Sequence, residues 1–242
     1  MATADAVFAK KNASTSKKGG SGNNLNRKLN ILRAGVLGAN DGIVSTAGIV
    51  IGVAGATSNT LTILISGLAG LLAGALSMGG GEYVSVSTQR DTEKAAVEKE
   101  TKELRDNYAG EVDELTEHYK NQGLSEDLSR RVAQELMAKD ALAAHSAAEF
   151  GIHPGEYVNP WHAAFSSMLS FTIGAILPLL VMILLPIFMR VPLTVIAVLT
   201  ALSLTGFVSA RLGEAPGGRA VLRNVMVGGL TMLVTYTIGT LF

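Results

Sequence analysis

VLGANDGIVSTAGIVIGVAGA, residues 36–56, is the stretch that decides the fold. It holds one charged residue, Asp41, in a run that is otherwise apolar or small. A bilayer core of about 30 Å takes roughly 20 residues of mostly apolar helix, and this run is long enough. A soluble helix keeps a polar face, and this one has none. Working outward, four further runs have the same character: 61–88, 163–187, 191–212 and 219–241. Pro178 and Pro186 predict a kink or an early end in the third. The fold class that follows is all-α, an integral membrane protein with five transmembrane helices.

Composition agrees with that class. Apolar residues make up 48% of the 242-residue chain, charged residues only 17%, and the mean hydropathy is +0.34. Soluble domains carry about 25% charged residues. The net charge of zero hides a segregated chain, because 25 of the 40 charged residues fall between Arg90 and Glu156. The absence of cysteine removes thiolate metal sites, cysteine nucleophiles and disulfides. No phosphate-binding loop, G-x-S-x-G nucleophile or basic aromatic surface is present, so neither an enzyme nor a nucleic-acid partner is expected.

Four regions follow. Residues 1–30 are rich in Lys, Ser, Gly and Asn, lack the apolar core of a cleavable signal peptide, and are expected to be a disordered cytoplasmic tail. From Leu25 to Leu37 a short amphipathic stretch either lies on the membrane, with Arg27, Lys28 and Arg33 at headgroups, or simply extends the tail. Residues 31–88 hold spans one and two, 89–160 a helical domain, and 161–242 spans three to five. In the domain, SEDLSRRVAQELMAKDALAAH (125–145) has the period of an amphipathic helix, with Ser125 as N-cap and Glu126 and Asp127 at its positive end. Lys and Arg number seven in the tail to Arg33, none in 57–60 and nine in 89–160. Excess Lys and Arg mark cytoplasmic loops, which predicts an internal N-terminus and domain and an external C-terminus. The G-x-x-x-G pairs Gly48/Gly52 and Gly70/Gly74 let helices approach closely, within the chain or between copies.

Three sets of residues carry chemistry. Asp41 and Glu82 are carboxylates inside spans, where each costs on the order of 3 kcal/mol at mid-membrane. With opposite helix directions both lie near the cytoplasmic side, and Met78 shares a face with Glu82. Two carboxylates and a thioether suit a transition cation better than Mg²⁺ or Ca²⁺. Second, Glu93, Glu100, Glu103, Glu111 and Glu114 fall on one face if the helix runs unbroken through Gly110. Lys99 is the only basic residue at the right spacing to pair with Glu100, Glu103 or Glu111, so the stripe is either a cation site or a solvated face. Third, His145 and Glu149 form an i,i+4 pair able to hold one metal, a weak signal by itself. His118, His153 and His162 form no ligand set.

RAGVLGANDGIVSTAGIVIGVAGA (33–56), GALSMGGGEYVSVSTQRDTEKA (74–95) and NPWHAAFSSMLSFTIGAILPLL (159–180) resemble the first helix, the end of the second and the entrance of the third in the vacuolar iron transporter family. The resemblance runs from about residue 30 to the end. It implies a homodimer with a path at the dimer interface, exchange of Fe²⁺ and often Mn²⁺ for protons, and no prosthetic group. It further implies a cytoplasmic metal-binding domain using Glu100, Glu103, Glu111, Glu114 and Glu149, and a path through Asp41, Met78 and Glu82. Plant members carry a methionine pair where this chain has His145 and Ser146, so His145 is expected to replace a thioether ligand. The host membrane would be the plasma membrane in a bacterium and the vacuolar membrane in a plant or fungus. Two rivals are a membrane-tethered cytoplasmic metal sensor or store, and a di-iron oxidase. The oxidase needs Glu-x-x-His motifs, which the chain lacks.

Overall fold

A computed structural model describes the backbone from residue 20 onward and the side chains from residue 35 onward. Seven helices are present among the described residues: α1 Gly20–Ala56, α2 Thr60–Asp106, α3 Tyr108–Asn121, α4 Glu126–Glu149, α5 Pro160–Leu184, α6 Ile187–Leu212 and α7 Gly217–Gly239. They form two units, one running to Tyr83 and resuming at Trp161–Phe242, the other Val84–Pro160. Helix α2 contributes to both.

In the first unit five helices, counting Gly35–Ala56 for α1, are long and apolar enough to cross a membrane. Their outer faces explain why. Leu61, Ile65, Leu68, Leu72 and Leu76 repeat at three- and four-residue intervals along α2, and all are exposed. Phe165, Leu169, Ile173, Ile176, Leu180 and Leu184 do the same on α5. Such stripes are stable against acyl chains, not water, and they define an integral membrane protein. The interior holds Ile43, Val50, Ile51, Ile63, Leu71, Phe171, Leu179, Met182, Val198, Leu202 and Met232.

The G-x-x-x-G pairs serve contacts within the chain. A Cβ on Gly48 would lie 3.2 Å from Thr231 Cγ2, and one on Gly52 would lie 3.2 Å from the Thr235 carbonyl of α7. Gly70 lies under Ile49 and Gly74 under the Phe171 ring. Boundaries differ from expectation at the third and fourth spans. Helix α5 absorbs Pro178 and stops at Leu184, and Pro186 caps α6, which begins at Ile187. A proline biases its predecessor away from helix, so Leu185 is the break. Helix α1 is already helical at Gly20, so residues 20–30, assigned by composition to the tail, extend it. Propagating a formed helix costs far less than nucleating one. Residues 1–19 of the predicted tail, and the side chains of Arg27, Lys28 and Arg33, lie outside the described residues.

The second unit packs the end of α2 with α3 and α4 around Leu115, Ala133 and Met137, bordered by Leu104, Val112, Tyr119 and Ala144. The helix whose continuity through Gly110 the acidic stripe requires is broken at Asn107 (φ −147°, ψ 57°), whose Oδ1 accepts from Gly110 N at 3.2 Å. An Asn that satisfies a free N–H at a helix start competes with continuing the helix. Gly123, at φ +100°, turns the chain between α3 and α4. Ser125 precedes α4 in extended conformation, without a side-chain cap bond. Inside α4, Asp140 leaves helical geometry (φ −162°, ψ 96°) and its Oδ1 accepts from Ala143 N, restarting the helix that carries His145.

Candidate metal centre

Three helices of the second unit converge on one point. Glu100 comes from α2, Glu111 from the first turn of α3 and His145 from the restarted part of α4. Glu100 is 1% exposed, His145 2% and Glu111 8%. Their ligand atoms all lie within 4.8 Å of one another. His145 Nδ1 is 3.0 Å from Glu100 Oε1 and 3.5 Å from Glu111 Oε2. On the other side of the ring, Nε2 lies 2.7 Å from the Glu111 carbonyl oxygen. A carbonyl only accepts, so Nε2 carries a hydrogen; Nδ1 donates to the carboxylates when the ring is protonated and turns a lone pair toward a cation when it is neutral.

That arrangement is short of donors. Glu100 Oε1 is buried and makes no hydrogen bond. Buried polar atoms are normally satisfied, and an orphan of this kind calls for a proton or a cation. Electrostatics say the same. Burial pushes the Glu100 carboxyl up to about 7, with the charge of His145 pulling it down and those of Glu111, Glu149 and Glu103 pushing it further up. Burial likewise raises Glu111, against His145 and with Glu114, Glu103 and Glu149 adding repulsion. Two oxygens and a nitrogen in a water-poor pocket fit a divalent transition ion.

The remaining predicted ligands stand around this trio. Glu103, Glu114 and Glu149 act on it through their charge but are not in the contact group. Lys99 Nζ sits 3.0 Å from Glu103 Oε1. Glu149, paired with His145 by spacing, is exposed, and the ring turns instead toward Glu100 and Glu111. Glu93 stands apart, accepting from Gln89 Nε2 at 2.8 Å.

The membrane unit has its own cavity, about 520 Å³, between α1 and α2 with Phe171 at its edge. Asp41, Met78 and Glu82 line it, with Ser45 and Ser77. Ser45 Oγ donates to Asp41 Oδ1 at 2.6 Å. Next to Asp41, Asn40 points elsewhere: its Oδ1 accepts from Asn224 Nδ2 at 3.1 Å and Thr205 Oγ1 at 3.3 Å, tying α1 to α7 and α6. Sequence reasoning missed Ser45, Thr205 and Asn224. The i,i+4 spacing of Ser45 from Asp41 was the available signal for the first; nothing local announces the other two.

A five-span helical membrane protein with a carboxylate-lined cavity between its first two spans is a class that the comparisons narrow. A family model described as the VIT family matches residues 32–240, and the chain belongs to that family. A protein named vacuolar iron transporter from Acanthamoeba castellanii is 41% identical over 211 residues, 87% of this chain and 78% of that protein. Vacuolar iron transporter homolog 2 of Oryza sativa subsp. japonica is 36% identical over 214 residues, 87% and 90% of the two chains. Vacuolar iron transporter homolog 2 of Arabidopsis thaliana is 34% identical over 206 residues, 85% and 81%.

Proposed function

We propose that this protein exports Fe²⁺, and Mn²⁺ as well, from the cytoplasm in exchange for protons. The observation that carries the reading is the cavity with Asp41, Met78 and Glu82 in an otherwise apolar membrane unit. Intramembrane carboxylates that face a cavity mark ion paths. The names of the relatives support iron as the cargo. The Lys and Arg distribution supports a cytoplasmic N-terminus and a cytoplasmic helical unit, where Glu100, Glu111 and His145 capture the ion with help from Glu103, Glu114 and Glu149.

Coupling follows from ligand chemistry. A carboxylate oxygen binds a metal ion only after losing its proton, so metal and proton exclude each other at Asp41 and Glu82. Protons arriving from the far side displace the ion there and return inward. The functional unit is a homodimer. Supporting this, Ser77, Gly80 and Gly81 are exposed beside the cavity, and a Cβ on Gly80 or Gly81 would meet nothing within 4 Å. A second copy on this face would close the cavity.

The test is Fe²⁺ flux into proteoliposomes with a pH gradient imposed or collapsed. Flux that follows the gradient supports antiport; flux indifferent to it removes the proton from the scheme. A second reading, a membrane-tethered sensor or store, draws on the burial of Glu100 and His145, and would appear as tight binding with no flux at all.

A further inference from the structure

The following inference rests on the reading of Glu100, Glu111 and His145 as a metal centre, and concerns which ions it takes. We propose that His145 is its specificity-determining ligand, binding through Nδ1 and favouring nitrogen-seeking divalent ions such as Fe²⁺ and Co²⁺ over Mn²⁺.

The geometry restricts the ring to one role. The Glu111 carbonyl accepts from Nε2 at 2.7 Å, which leaves Nδ1 as the free nitrogen. Nδ1 faces Glu100 Oε1 at 3.0 Å and Glu111 Oε2 at 3.5 Å. A flipped ring would set carbons against the Glu111 carbonyl and the Glu100 carboxylate and lose both contacts. Glu111 thus does two things at once. Its side chain offers a ligand oxygen, and its backbone holds the neighbouring ligand in the right tautomer, the part an outer partner plays in metal sites. The Asp140 break lets the last part of α4 take its own direction and bring His145 to this point.

The chemistry then gives the preference. Carboxylates alone suit Mn²⁺, Mg²⁺ and Ca²⁺ as readily as Fe²⁺, whereas imidazole favours Fe²⁺, Co²⁺, Ni²⁺ and Zn²⁺. Mn²⁺ stands lowest among the divalent first-row ions in affinity for such mixed sites, so one well-aimed nitrogen widens its disadvantage. With no cysteine in the chain, the group holds no thiolate to favour Cu⁺.

The experiment uses the full-length, metal-free protein in detergent. Mn²⁺ affinity is measured by the electron paramagnetic resonance signal of the free ion. Co²⁺ affinity is measured by its visible absorption and by displacement of Mn²⁺. Wild type is expected to prefer Co²⁺, and His145→Gln to narrow that preference by about tenfold, lowering Co²⁺ affinity more than Mn²⁺ affinity. His145→Met, of similar volume, is the second variant should Gln disturb the buried packing, and is expected to narrow the preference likewise. Pulsed resonance of Mn²⁺ bound to wild type is expected to show coupling to an imidazole nitrogen, a readout independent of any variant's folding. An unchanged Co²⁺/Mn²⁺ ratio in folded variants, or no nitrogen coupling in wild type, overturns the role of His145. Undiminished binding of both ions in Glu100→Gln and Glu111→Gln instead overturns the metal centre itself.

Discussion

The two units solve opposite burial problems. In the membrane unit the outside is apolar and the carboxylates Asp41 and Glu82 line a cavity, Asp41 only half-buried and held by Ser45. In the unit Val84–Pro160 the outside is charged, and Glu100 and His145 are kept from water beside its apolar core. Under the proposed function, the difference separates two tasks. A conducting site must bind an ion and release it, which favours an open cavity with few ligands. A capturing site gains affinity from desolvated, mutually repelling carboxylates that only a cation or a proton can quiet.

The largest effect should come from exchanging damage between the two. Asp41→Asn should bring Fe²⁺ flux to background while leaving metal affinity of the second unit intact. Glu100→Gln should lower that affinity by roughly 10–100-fold yet leave flux measurable at saturating metal. Isothermal titration beside vesicle flux checks both; a variant that moved both readouts equally would break the division of labour.

Next comes pH. The folded, metal-free second unit holds a proton on Glu100 up to about 7, against 4.5 for an ordinary glutamate. Between those values the folded state binds more protons than the unfolded chain, so stability is highest at the low end and lost as pH rises through about 7. Melting of the metal-free protein should therefore move to lower temperature across that window, and saturating metal should abolish the trend. Metal affinity should rise over the same window, since the proton must leave.

Packing effects are smaller. A Cβ on Gly42 would collide with the Phe171 carbonyl oxygen of α5, so Gly42→Ala must push α1 and α5 apart. Overpacking of this kind costs about 1–3 kcal/mol, and the residue adjoins Asp41, so both melting temperature and flux should fall. Asn224→Ala, which removes one donor from Asn40, should cost only about 0.6 kcal/mol, the average for interhelical hydrogen bonds in membranes.

The spans were legible because twenty apolar residues with hardly a charge have few other uses. Their ends were less so: Pro186 reads as a helix end, but starting α6 at Ile187 depends on how the next helix is capped. The acidic residues of the second unit were visible as a one-face pattern, and that pattern assumed an unbroken helix. Asn107 breaks it, and Glu111 meets Glu100 from a different helix. His145 shows the limit most clearly. By spacing it belongs with Glu149. In the structure it binds the carbonyl of a residue 34 positions away, a relation set by the packing of Leu115, Ala133 and Met137 that no local period encodes.

The most direct measurement is Fe²⁺ uptake into proteoliposomes with an acidic lumen, followed together with lumenal pH, for wild type beside Asp41→Asn. The account predicts that wild type accumulates Fe²⁺ while the lumen loses protons, and that Asp41→Asn does neither. Fe²⁺ accumulation by Asp41→Asn at the wild-type rate, or wild-type uptake with no movement of protons, would contradict it.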